Sequence, residues 1–168
     1  GSAEAARVWT APIQLLAVKP QQIDGIAAAA PVAENQPLLV SVLAGVSLDR
    51  LQRLFPGHRV ARAVPNTPAL VGEGLTALAW GEAISSEQRL KVRDLFAGVS
   101  EVLELPEDKL DAFLALTSSG PAFVALMAEA MADGAVAAGL PRDLAHRLAH
   151  RTLAGTAALL DQRQLHPA

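Results

Sequence analysis

The stretch Leu114–Leu140, LALTSSGPAFVALMAEAMADGAVAAGL, decides how this chain folds. A turn of small residues opens it, Thr117-Ser118-Ser119-Gly120-Pro121. Behind the turn runs a helical pattern, Ala122–Leu140, that is apolar on nearly every side. A helix without a polar face of its own belongs inside a helical core or against a partner subunit. Its length would also fit a bilayer. Glu129 and Asp133 lie in its middle, however, and each would cost roughly 2.5–3.5 kcal/mol there, which sets the membrane reading aside. The hydroxyls of Ser118 and Ser119 stand where the helix begins, placed either to cap it or to meet a ligand.

On either side of this stretch the pattern stays helical. Pro141 opens a further helix, Arg142–Gln164, and Glu107–Leu116 reads as a helix before the turn. Upstream of Pro106 the style changes. Ile13–Val18 and Leu38–Leu43 are continuous apolar runs of strand length, as expected for strands covered on both faces. His58–Val64 sets His and Arg against Val and Ala and reads as a third strand. Gln21–Ala30 and Leu48–Phe55, the latter capped by Ser47, supply helices between them. Gly72–Gly81, with a bend at Glu73-Gly74, and Val99–Leu105 are two more strands around a helix, Ser85–Phe96. Ser2–Trp9 is short and helix-prone.

Alternation of strand and helix predicts a parallel sheet with right-handed crossovers. The chain therefore divides near Leu105–Glu107 into an α/β part, residues 1–105, and an all-α part, residues 106–168. In a parallel sheet the C-terminal strand ends share one edge, where ligands bind. Here that edge would carry Val18-Lys19-Pro20, Ala44-Gly45-Val46 and Pro65-Asn66-Thr67-Pro68. Lys19 offers a cation, Gly45 lets a ligand approach backbone, and Asn66 and Thr67 offer hydrogen bonds from a proline-bracketed turn. Each has an ordinary structural reading too: a lysine reaching solvent, and residues that favour turns.

Composition excludes several classes. The net charge is −3 and no polybasic segment occurs, which argues against nucleic acid. There is no cysteine, so disulfides, thiolate metal sites and cysteine nucleophiles are out. Residues 1–20 show no secretory pattern, and a cytoplasmic location is expected. Gly1-Ser2 reads as a vector remnant. His146 and His150 share a helix face without a third ligand, so no metal site is expected. Glu129 and Asp133 read as a solvated stripe or as partners of arginines in the last helix. No G-x-S-x-G elbow supports a nucleophilic serine.

Ala17-Val18-Lys19-Pro20, Ala44-Gly45-Val46, Pro65-Asn66-Thr67-Pro68-Ala69 and Ser119-Gly120-Pro121-Ala122 together resemble pyrroline-5-carboxylate reductase. Glu129-Ala130-Met131-Ala132-Asp133-Gly134 and Gly139-Leu140-Pro141-Arg142 extend the resemblance along essentially the whole chain. It implies a partial Rossmann-type parallel sheet domain followed by a helical dimerisation domain. It implies hydride transfer from NADPH or NADH to the C=N bond of 1-pyrroline-5-carboxylate, giving L-proline, in an interlocked homodimer. By the same resemblance Ala17, Val18, Lys19, Pro20, Ala44, Gly45, Asn66, Thr67 and Pro68 would bind the cofactor. Ser118, Ser119, Gly120 and Pro121 would reach the substrate.

The chain departs from the family at two motifs. The Gly-rich phosphate loop expected before Ala17 is absent, and so is the Ser-Pro-Gly-Gly-Thr-Thr loop expected after His166-Pro167. The latter carries the family's catalytic threonine, so no catalytic residue is assigned here, and the sequence looks like the middle of the enzyme. Val64, Ser118 and Phe123 stand where Met, Gly and Tyr are usual. A related reductase acting on another imine or hydroxyacid, and a non-catalytic dimerisation or binding module, remain open beside the main reading.

Overall fold

The computed structural model describes residues 7–163. Most of the helix expected over Ser2–Trp9, and the end of the one expected to reach Gln164, lie outside them. Five strands form one sheet in the order β1-β2-β3-β4-β5: β1 (Ile13–Leu16), β2 (Leu38–Ser41), β3 (Arg59–Pro65), β4 (Gly74–Trp80) and β5 (Ser100–Glu104). Helix α1 (Ile23–Ala29) links β1 to β2, α2 (Leu48–Leu54) links β2 to β3, and α3 (Ser86–Ala97) links β4 to β5. Those three crossovers give parallel pairs. β3 and β4 are antiparallel. Their link, Asn66–Glu73, holds only a 3-10 turn over Thr67–Val71, whereas a parallel return needs about a dozen residues. Only β1, β2 and β3 therefore end on the expected ligand edge.

The apolar runs became strands because both faces of the sheet are covered. Every residue of β2 is buried. Leu39 packs with Ile23, Leu51 and Phe55 on one face, while Leu38 and Val40 pack with Val92 and Phe96 on the other. In β3 the expected sorting of polar against apolar side chains does not occur. Val60, Arg62 and Val64 alternate with Ala61 and Ala63, and all five are buried. Arg62 tolerates this because its Nη1 donates to Glu107 Oε1 at 2.8 Å, and the same oxygen accepts the Leu48 N–H at 2.7 Å. One carboxylate thus pairs a buried guanidinium and serves a free donor at the start of α2.

His58, just before β3, is 4% exposed and lies edge-on to Trp9 and Phe55. Gln14 donates its Nε2 to the Trp9 and Ala11 carbonyls, so its Oε1 is left to accept from His58 Nε2 at 3.2 Å. The proton of the neutral ring therefore sits on Nε2. Burial holds this imidazole below its ordinary pKa, against smaller opposing contributions from the Pro56 and Phe55 backbone.

Contacts divide the chain into two compact units, Gly1–Ser118 and Ser119–Ala168. Strand structure ends at Glu104, but α4 (Leu110–Thr117) still packs on the sheet: Leu110 is fully buried with Val64, Ala77 and Ala79. The second unit is a hairpin of α5 (Gly120–Ala137) and α6 (Arg142–Arg163). Gly139 at φ +103° ends α5 in a Schellman turn, with Gly139 N–H donating to Val136 O and Leu140 N–H to Ala135 O. Asp133 pairs with Arg142 at 3.0 Å, as one of the two readings of the acidic stripe expected. The helices meet through Ala128, Ala132, Ala145 and Ala149, small enough for close approach. Along α5, Phe123 and Leu126 are 68% and 64% exposed, and Val124, Met127 and Met131 are exposed as well. By length and composition alone Glu107–Ala137 could cross a membrane. That run includes the α4–α5 break and the ion-paired Asp133.

Candidate functional site

The parallel register aligns Leu16 with Ser41 and Ser41 with Arg62, so β1 and β2 stop level and β3 runs on to Pro65. The three predicted loops accordingly leave from one edge. After β1, Ala17 and Lys19 are exposed, and Val18 turns inward onto the core around Leu16. Lys19 starts a 3-10 turn closed by Gln22, whose side chain accepts the Lys19 N–H at 3.1 Å. Pro20 presets its first residue. Among the described residues the Lys19 ammonium has no partner.

After β2, Ala44 and Gly45 are exposed. Gly45 sits at φ +72°, a conformation that favours glycine, and a Cβ there would meet nothing within 4 Å. The backbone at this strand end is therefore open to a flat ligand. The loop is held from below. Ser47 Oγ accepts the Arg50 N–H at 3.2 Å as the α2 cap, and Glu107 takes Leu48.

After β3, Thr67 is exposed and Asn66 half-buried. Asn66 does not present a free amide. Its Oδ1 accepts the Leu75 N–H at 2.8 Å and its Nδ2 donates to the Thr117 carbonyl at 3.1 Å. Residues 51 positions apart are joined by that second bond, which no local pattern announced.

Ser118 and Ser119 differ from the capping expectation. Ser118 closes α4, and Ser119 precedes α5 without a side-chain cap bond. An N-cap needs extended backbone, but Ser118 (φ −95°, ψ −35°) and Ser119 (φ −85°, ψ −32°) both stay helical. Their exposed hydroxyls make no hydrogen bond among the described residues. Pro121 falls in the first turn of α5, where its missing N–H is tolerated. No group of three or more metal-ligating side chains occurs among the described residues.

Sequence reasoning missed Arg62 and Glu107, which lie under the edge rather than on it. An arginine inside a run of Val and Ala was the available signal.

Comparisons with known proteins bear on the whole chain. Residues 107–168 match the family described as pyrroline-5-carboxylate reductase dimerisation. A pyrroline-5-carboxylate reductase of Synechocystis is 49% identical over 98% of this chain and 61% of its own length. The solved 1-pyrroline-5-carboxylate reductase of Streptococcus pyogenes superposes with a TM-score of 0.89 at 26% identity, covering 99% of this chain and 64% of that one. The Plasmodium falciparum pyrroline carboxylate reductase, solved with NADP bound, gives 0.81 at 28% identity over 88% of this chain and 60% of that one. The chain thus spans about three fifths of the length of the relatives it matches. Over nearly all of its own length, the chain is similar in sequence and fold to the pyrroline-5-carboxylate reductases.

Proposed function

We propose that this chain serves a pyrroline-5-carboxylate reductase: it takes part in the NAD(P)H-dependent reduction of the C=N bond of 1-pyrroline-5-carboxylate to L-proline. The observation that carries this is the 49% identity to such a reductase along 98% of the chain, which includes all three edge loops. The open backbone at Gly45, and a Lys19 ammonium without a partner among the described residues, fit a dinucleotide at that edge. Reduced nicotinamide would supply the hydride. Ala17, Val18, Lys19 and Pro20, with Ala44 and Gly45, would hold it, and Thr67 and Pro68 would frame the cleft. Ser118, Ser119, Gly120 and Pro121 would approach the substrate carboxylate, which a helix start with free hydroxyls suits.

The chain's own contribution is positioning. Residues 17–20, 44–47 and 65–68 contain no His, Asp or Glu, so the proton that completes the reduction comes from solvent or a hydroxyl. Loss of turnover with intact binding on replacing any acidic residue would contradict this. Self-association through the bare flank of α5 belongs to the same reading, as does a cytoplasmic location. The test is NADPH oxidation by the purified chain with 1-pyrroline-5-carboxylate, other cyclic imines and hydroxyacids in parallel. Oxidation with 1-pyrroline-5-carboxylate foremost is expected. Preference for another imine or for a hydroxyacid overturns the reading.

A further inference from the structure

The loop after β3 is held within itself by three backbone bonds, Ala69 N–H to Asn66 O, Gly72 N–H to Ala69 O and Glu73 N–H to Pro68 O, each at 3.2 Å, and by little packing. The 3-10 turn Thr67–Val71 contains no buried residue, and Leu70 and Val71 are 90% and 77% exposed. Its neck is closed instead by Asn66. The Asn66 N–H donates to Leu75 O at 3.2 Å, and the Asn66 Oδ1 accepts the Leu75 N–H at 2.8 Å. The same side chain then fastens this neck to Thr117 O at 3.1 Å.

The chemistry of residue 121 explains why that carbonyl is available. In an unbroken helix Thr117 O would accept from the N–H four residues on. That residue is Pro121, which has none. Thr117 is 7% exposed, so its carbonyl would be left short of a partner in a nearly dry place. Its own hydroxyl is engaged elsewhere, donating to Phe113 O at 2.8 Å. The Asn66 amide is the donor that fills the gap.

We propose that Asn66 is a positioning residue for the cofactor edge. It holds the Thr67–Gly72 loop against Leu75 and Thr117 rather than touching the reacting atoms, and Pro121 is what frees Thr117 O to receive it. The cofactor part of this role presupposes the reductase reading above; the clamp itself does not. Aspartate or glutamate at position 66 would lose the donor, serine would hold its hydroxyl on too short an arm, and glutamine would move the donor by one methylene.

The experiment uses Asn66→Ala, Pro121→Ala and the double variant of the 168-residue chain. Hydrogen exchange at residues 69–75 reads the clamp. Asn66→Ala should speed exchange of the Leu75 amide about tenfold or more, with Val40 in β2 unchanged. Steady-state rates read the positioning: the KM for NADPH should rise several-fold with kcat within about twofold, whereas a merely destabilised protein would lose active fraction at constant KM. Pro121→Ala returns a helical donor to Thr117 O, so Asn66→Ala should lower the melting temperature less on that background than on the wild type. Unchanged exchange at 69–75, or additive melting losses, overturns the clamp. A fall in kcat at constant KM overturns the positioning role and makes Asn66 a contact to the reacting atoms. A chain that neither binds nor oxidises NADPH overturns the cofactor role, while exchange and melting still decide the clamp.

Discussion

The sheet unit and the helical hairpin are both built of aliphatic residues, yet they place them differently. In the sheet unit Phe55, Ile23, Leu38, Leu51, Leu78 and Leu110 are fully buried. In the hairpin the buried apolar residues among the described ones are four alanines, and most of the large side chains of α5 are exposed. Covering a Phe, Leu or Met side chain is worth roughly 1.5–3 kcal/mol, so the first unit carries its own core. Two helices touching through alanine gain little of that. The hairpin is shaped to be completed by something else, which the proposed second copy would supply.

The sharpest way to break this contrast is to cut into each unit. Phe55→Ala should cost about 3–5 kcal/mol of stability, read as a lower denaturant midpoint. A small loss would mean the sheet unit does not depend on its core. Next comes the buried ion pair. Arg62→Ala leaves Glu107 without its guanidinium, and because that carboxylate is 32% exposed the loss should be about 3 kcal/mol, the lower end for such pairs. Glu107 is also the acceptor for Leu48, so exchange at the start of α2 should quicken.

On the hairpin side, Phe123→Glu should weaken self-association by about tenfold or more in sedimentation, with melting of the sheet unit unchanged. A wild-type chain that stays monomeric at high concentration would remove the hairpin's need for a second copy. Ser85→Ala should cost about 1 kcal/mol, since Ser85 Oγ accepts the Gln88 N–H at 3.2 Å in a capping box. Ser119→Ala should change stability by no more than about 0.5 kcal/mol, because no cap is lost. An equal loss at both serines would restore the cap reading.

A pH titration gives the finest distinction. Since burial lowers the His58 pKa in the folded state, the unfolded chain binds the proton more readily. This contribution to stability is therefore complete above the unfolded pKa, about 6.5, and declines as pH falls below it. His58→Gln should flatten the sheet unit's pH dependence between about pH 7 and pH 5. An unchanged slope would place its origin elsewhere.

Much of the fold was legible because its signals are local. The apolar runs beginning at Ile13 and Leu38 are each followed closely by a Pro or Gly, and Gly139-Leu140-Pro141 announces the end of α5. Ser47 and Ser85 cap helices as serines before helices do. The direction of β4 could have been read from the shortness of its link to β3. Ser119 misled because the chain stays helical through the break, which leaves no extended residue to cap. Arg62 with Glu107, and Asn66 with Thr117, pair residues 45 and 51 positions apart, and periodicity carries no trace of such partners. The three edge loops were legible as a group, since parallel pairing alone brings them together. What each side chain does there depends on which atoms are already engaged, and only coordinates supply that.

The reversal between β3 and β4 has a practical consequence. Trp80 pairs with Ala61 near the start of β3, so the loop that follows, with exposed Glu82 and Ala83, leaves from the far rim of the sheet. A dye or affinity handle attached at Glu82 would stand about a strand's length from Asn66 and Lys19. That position offers an attachment point for surface immobilisation or fluorescence readout while the opposite rim stays open to small molecules.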